Sequence, residues 1–232
     1  MSALGTLTFI GGIKTALIDD HHEAFYWWWK SKLESATLFH VDGHDDLGEA
    51  YVNRKIEMAE DYELLDIGNF ICPAVHRDLI SLIYWLNPHA REKRKLHYFN
   101  KMKTSFSGGH ELYKDQNFKY AWIERDREKI KTKTVEIPSD TQLILDIDLD
   151  AFCCHRSDTL SFLPVKRDDY KGALEFEERI DQTMKILSRL PKPDLITIAS
   201  SQGDGKNRCY VPPFMVDDVS RYLAINLRKL YE

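Results

Sequence analysis

Three clusters of Asp and His constrain this chain more than any other feature: Asp20-His21-His22, Asp42-Gly43-His44-Asp45-Asp46 and Asp146-Ile147-Asp148-Leu149-Asp150. The second follows Ala36-Thr37-Leu38-Phe39-His40-Val41, a strand-like run. Asp42, His44 and Asp46 therefore recur at the two-residue spacing that puts side chains on one face of extended chain, with Asp45 pointing away. The third cluster ends the apolar run Leu143-Ile144-Leu145, and Asp146 and Asp148 share a face at a strand's carboxyl end, where open α/β sheets bind ligands. His21, Asp42, His44, Asp46, Asp146 and Asp148 offer four carboxylates and two imidazoles, a ligand charge of about −4 that matches two divalent cations. An oxygen-rich set with some imidazole suits manganese better than a thiolate-seeking metal, although other divalent ions fit the same donors. Without cations, so many carboxylates at one edge would raise each other's pKa. A single Asp after a strand is commonly a helix cap or turn former, but caps do not require His interleaved with Asp at alternating positions.

Short apolar runs at 7–10, 15–18, 36–41, 96–99, 120–123, 142–145 and 195–199 read as strands. Helix-like segments lie between them. A helix is predicted over 22–33, with Phe25, Trp28 and Trp29 on its apolar side. One or two more are predicted over 69–86, where Ile80, Ile83, Tyr84 and Trp85 repeat at helical spacing before Asn87-Pro88. The clearest amphipathic pattern runs over 172–190 and stops at Pro191 and Pro193, and a last helix is predicted from Pro212 or Pro213 to Leu230. The charge-dense stretch 124–133 reads as a solvated face or loop. Strands alternating with helices predict a three-layer α/β/α fold around a mainly parallel central sheet.

The 232 residues fit one domain spanning 1–232. A net charge of −5 and a pI near 6.0 leave no electrostatic footprint for nucleic acid, so a protein or small-molecule substrate is expected. No apolar run is long enough to span a bilayer, and Met1 to Ile10 does not read as a secretion signal; the expectation is a soluble, cytoplasmic protein. Cys72, Cys153, Cys154 and Cys209 have neither disulfide-framework nor CxxC spacing and read as packing or loop thiols. The GxxxxGK[ST] loop of nucleotide-binding enzymes is absent.

At its three clusters the sequence resembles the arginase and deacetylase superfamily of dimanganese hydrolases, whose hallmarks are an upstream Asp-His, an Asp-x-His-x-Asp and a much later Asp-x-Asp. Here these stand as Asp20-His21, Asp42-Gly43-His44-Asp45-Asp46 and Asp146-Ile147-Asp148, in the same order. More closely, it is similar to the family that includes peptide arginases, through Asp20-His21-His22-Glu23-Ala24, His40-Val41-Asp42-Gly43-His44-Asp45, Asn69-Phe70-Ile71 and Leu145-Asp146-Ile147-Asp148-Leu149-Asp150. The resemblance implies an arginase/deacetylase-like fold, two Mn²⁺ ions, and hydrolysis of arginine residues in a precursor peptide to ornithine with release of urea. Position by position, it implies that His21 and Asp46 complete one metal site and His44 and Asp148 the other, with Asp42 and Asp146 bridging.

On this reading a hydroxide between the metals attacks the guanidinium carbon. His22 or His110 is the candidate donor of a proton to the leaving amine, and Asp150 the candidate orienter of metal-bound water or a simple cap. The chain departs from arginases that act on the free amino acid. Ala199-Ser200-Ser201-Gln202 stands where those enzymes keep a Glu for the guanidinium, which leaves Glu23, Glu49, Asp150 and Asp204 as candidates. The upstream motif also reads Ile18-Asp19-Asp20-His21, without the usual preceding glycine pair. The alternatives are a deacetylase-like hydrolase of another C–N bond and a metal-dependent peptide-binding module without catalysis.

Overall fold

A computed structural model describes residues 4–47, 50–51, 56–89, 95–100, 120–121, 128–129, 135, 137–155, 170–171, 175–202 and 210–232. Its centre is an eight-stranded sheet. In chain order the strands are β1 (Thr6–Ile10), β2 (Ile13–Ile18), β3 (Ala36–Val41), β4 (Ile80–Asn87), β5 (Lys95–Asn100), β6 (Glu128–Lys129), β7 (Leu143–Asp148) and β8 (Leu195–Ala199). Across the sheet they lie β1-β2-β8-β7-β3-β4-β5-β6. The five from β2 to β4 are parallel to one another, and β1, β5 and β6 add antiparallel margins. The fold is therefore the three-layer α/β arrangement that alternating strands and helices predict.

Each face is covered because the central strands are apolar on both sides. Ala36 and Leu38 of β3, Ile144 of β7 and Leu195 and Ala199 of β8 pack with helix α1 (Ala24–Lys30) and helix α2 (Ile71–His76), where Phe25, Trp28, Ile71 and Ala74 are buried. Phe39 and Val41, Leu143, Leu145 and Ile147, and Ile196 and Ile198 turn to the opposite face. There they meet Ile180 and Leu187 of helix α3 (Phe176–Leu187) and Val219, Leu223 and Leu227 of helix α4 (Val216–Tyr231). The β1–β2 hairpin closes through Gly11 and Gly12, both at positive φ (55° and 75°), as a tight two-residue turn requires. A side chain at Gly11 would also collide with Tyr231, 2.5 Å from the position a Cβ would take.

Some expectations about segments change. Residues 80–86, read as helical, belong to β4: the preceding helix ends at His76, and Asp78 at φ 62° turns the chain into the sheet. A strand inside a parallel sheet buries both faces, so it loses the alternation that would have marked it. The helix predicted over 22–33 is a 3-10 turn at His21–Glu23 followed by α1, which stops before Lys32 at φ 55°. Tyr120–Ala121 pairs with Ala50–Tyr51 in a separate two-stranded sheet, and Glu128–Lys129 supplies a charged edge strand within the stretch read as a loop. Cys72 and Cys153 are buried and Cys154 half-buried, none of them in a disulfide. Among the described residues no helix is long and apolar enough to cross a membrane.

Candidate metal centre

Strand register builds the site. On β7 the side chains of Ile144, Asp146 and Asp148 follow one face; His40 of β3 and Thr197 of β8 stand beside Asp146 at the same level. One step further toward the carboxyl ends, the chain leaves β3 at Asp42 and β7 at Asp148. A 3-10 turn at Leu149–Ala151 then carries Asp150 inward, its N–H donating to Asp148 Oδ1 at 2.8 Å. The turn after β2 brings in His21, and Asp46 returns to it through a backbone at φ 46°, a left-handed conformation that Asp tolerates better than most residues.

Two groups of donors result. His21 Nδ1 lies 3.0 Å from Asp42 Oδ2, 3.2 Å from Asp46 Oδ2 and 3.0 Å from Asp148 Oδ2. His44 Nδ1 lies 2.9 Å from Asp150 Oδ2 and 3.4 Å from Asp42 Oδ1, so the two oxygens of Asp42 face different groups. Both groups border a cleft of about 310 Å³ lined by His21, His44, Asp46, Asp148, Asp150 and Ser201, with Asp45 and Asp66 also on its wall. Tight polar contacts hold the walls in place. Trp85 Nε1 donates to Asp42 O at 3.0 Å, Asn87 Nδ2 to Gly43 O at 2.7 Å, and Gly43 N to Asp150 Oδ1 at 3.1 Å. Ser201 Oγ donates to Asp148 Oδ2 at 2.5 Å, and His89 Nε2 lies 2.6 Å from Asp150 O. Below, the His21 ring packs 4.8 Å from that of Phe70, which in turn packs on Trp28.

The donor set fits divalent cations. His21 Nδ1 and Asp42 Oδ2 are buried and, among the described residues, neither makes a directional hydrogen bond although they stand 3.0 Å apart. Atoms converging on a cation with bonds of about 2.0–2.2 Å sit about 3 Å from one another along a coordination edge. His21, His40 and Asp42 lie within reach of a common ion, and so do Asp42, His44 and Asp150. The electrostatics ask for positive charge as well. Burial, reinforced by Asp150, Asp46 and Asp148, pushes the Asp42 carboxyl well above its ordinary range. Burial lowers the imidazole of His21, yet Asp146 and Asp148 outweigh it and hold it well above 6.5; hydrogen bonds to Asp150 and Asp42 raise His44. Cations held among these carboxylates would neutralise the same charges.

The structure places the sequence-derived residues unevenly. His21 stands against Asp42, Asp46 and Asp148, and His44 against Asp42. Asp150, expected as an orienting group or cap, sits among the donors and lines the cleft. Asp146, expected among the ligands, lies beneath, fully buried, with its oxygens taken up by His21, His40 and Thr197. Asp45, expected to point away, is on the cleft wall. The 3-10 turn at Leu149–Ala151 carries the alternation past the end of β7, so that Asp150 follows Asp148 to the cleft. His22 and Glu23 do not line the cleft: His22 stacks on Tyr62, and Glu23 Oε2 accepts from Asp19 N at 3.4 Å. Burial lowers His22 and raises Glu23. His110, Glu49 and Asp204 lie outside the described residues. Sequence reasoning missed His40, which the same alternation reaches one step back from Asp42. It also missed Ser201, Thr197 and Asp66, which carry no local signal. No protein-family model and no curated protein matches the chain.

Proposed function

We propose that this chain is a two-metal hydrolase that converts arginine residues of a precursor peptide to ornithine with release of urea. The observation that carries the metal part is the convergence of His21, Asp42, Asp46 and Asp148 in one donor group and of Asp42, His44 and Asp150 in the next, at the mouth of a cleft. Cations held there, Mn²⁺ on the chemistry of these donors, would supply Lewis acidity and lower the pKa of water enough to provide a nucleophile near neutral pH. Asp42 would serve both positions through its two oxygens. Ser201 and Gly43 fasten Asp148 and Asp150, so the carboxylates are held in place before substrate arrives.

The arginine part draws on the motif resemblance and on charge. Asp45 and Asp66 also line the cleft, an environment suited to a cationic side chain. In the reaction, water adds to the guanidinium carbon and the bond from that carbon to the side-chain nitrogen breaks. The ornithine ammonium and neutral urea account for every proton, with none gained or lost overall. Incubating arginine-containing peptides with Mn²⁺-loaded protein should produce a mass loss of about 42 Da at arginine together with urea. No mass change across a broad arginine-peptide panel, with metal shown to be bound, would sink the substrate assignment. The second reading, hydrolysis of an acyl amide by the same donors, is favoured by one observation: after β8 the chain runs Ser200-Ser201, and Ser201 donates to Asp148 where a guanidinium-binding carboxylate would stand. Acetate release from acetylated peptides separates the two.

A further inference from the structure

We infer that Asp146 is a positioning residue for the metal centre, not a ligand: it grips His21 from behind so that Nδ1 of that ring faces the carboxylates of Asp42, Asp46 and Asp148. The inference rests on the two-cation part of the reading above and is independent of the substrate.

Asp146 has no exposed surface and does not border the cleft. A carboxylate offers about four acceptor sites on two oxygens. Oδ2 of Asp146 lies 2.9 Å from His21 Nε2 and 2.8 Å from His40 Nδ1, and Oδ1 accepts from Thr197 Oγ1 at 2.5 Å. These partners come from three directions, because His40 and Thr197 are its in-register neighbours on β3 and β8 while His21 comes from the turn after β2. Thr197 Oγ1 in turn receives Trp28 Nε1 at 3.2 Å, which commits its own hydroxyl proton to Asp146. The carboxylate is thus pinned on both flanks before it meets His21.

Its effect on His21 follows from imidazole chemistry. A ring that donates Nε2–H to a carboxylate leaves Nδ1 with its lone pair, the form a cation needs, and the bond fixes the plane of the ring. That Nδ1 is the atom standing 3.0 Å from Asp42 and Asp148 and 3.2 Å from Asp46. Rotating Asp146 toward the cleft to make it a ligand would break all three of its contacts and release the ring. The carboxylates that reach the donor groups are its successors on the same alternation, Asp148 and Asp150.

The test compares Asp146→Asn with Asp148→Asn and Asp150→Asn in the full chain, dialysed against Mn²⁺. Metal content is measured by mass spectrometry and affinity by calorimetry; imidazole ¹⁵N resonances are recorded on the Zn²⁺-loaded protein. Asp146→Asn should keep two ions per chain with affinity weakened about 10–100-fold, the usual scale for a partner behind a ligating His, and should shift the His21 ring nitrogens. Asp148→Asn and Asp150→Asn should each lose an ion. If Asp146→Asn loses an ion outright, or binds both as tightly as the parent with unchanged His21 resonances, the inference is overturned. Should Asp146→Asn fail to fold, Thr197→Val removes one of the pins at nearly constant size and should weaken binding several-fold with both ions retained; unchanged affinity overturns the inference equally. A parent protein that binds two ions but releases no urea defeats the arginine reading and leaves this one standing, whereas a parent that binds none defeats both.

Discussion

Gly43 presents its backbone N–H to Asp150 Oδ1 at 3.1 Å, and a Cβ at position 43 would come within 3.2 Å of that same oxygen. The loop after β3 therefore touches the turn after β7 closely enough that even a methyl group would press on Asp150, and the contact holds Asp150 beside His44. Gly43→Ala should displace the carboxylate by a few tenths of an ångström and weaken the second ion by about tenfold, the low end for a disturbed outer partner. Calorimetric titration with Mn²⁺ resolves it: the tighter of two binding steps should survive and the weaker should move.

Removing metal should disable and loosen the protein. Chelation is expected to abolish any hydrolysis and Mn²⁺ to restore it, while adding metal at 100 times its Kd should stabilise the fold by about 2.7 kcal/mol for each ion bound. Full turnover by demonstrably metal-free protein would contradict the proposed chemistry.

The pH dependence of the metal-free protein follows from the direction of its shifts. His21, His40 and His44 are held above their ordinary 6.5, and Asp42 above 3.8, so the folded state binds these protons more tightly than the unfolded chain. The stability they confer is complete below the unfolded values and is lost as pH rises through the folded ones. Asp146 is shifted the other way, because the histidines outweigh its burial, and it acts only in acid, losing its contribution as pH falls below 3.8. The Tm of metal-free protein should thus fall as pH rises above about 6.5, while metal affinity rises over the same range because binding displaces protons. A flat or rising metal-free Tm between about pH 6 and 9 would contradict this, since that range covers the ordinary His value and the range above it.

Ser201 holds Asp148 with a buried hydroxyl from a backbone at φ 41°. Ser201→Ala deletes a hydrogen bond to a carboxylate and should cost about 1.5–3 kcal/mol in the unfolding of the loaded protein. Ser201→Gly loses the same bond but relieves the left-handed backbone, so it should be the milder change in a denaturant titration. If the alanine variant proved the more stable of the two, the strain argument would fail.

The layered α/β fold and its metal-donor clusters were legible in the sequence, because apolar runs at strand length and the alternation of 42, 44 and 46 are local properties of the chain. The helix at Phe176–Leu187, predicted within 172–190, was legible for the same reason: one-sided burial leaves a 3.6-residue trace in residues such as Ile180 and Leu187. What local pattern could not supply is the neighbour across the sheet. That β4 is a strand, that His40 and Thr197 flank Asp146, and that Ser201 reaches Asp148 all depend on parallel register between segments far apart in the chain. Likewise, spacing alone makes Asp146, Asp148 and Asp150 equivalent. Only depth in the folded protein separates them, since the strand buries Asp146 among donors while the turn at Leu149–Ala151 delivers Asp150 to the cleft.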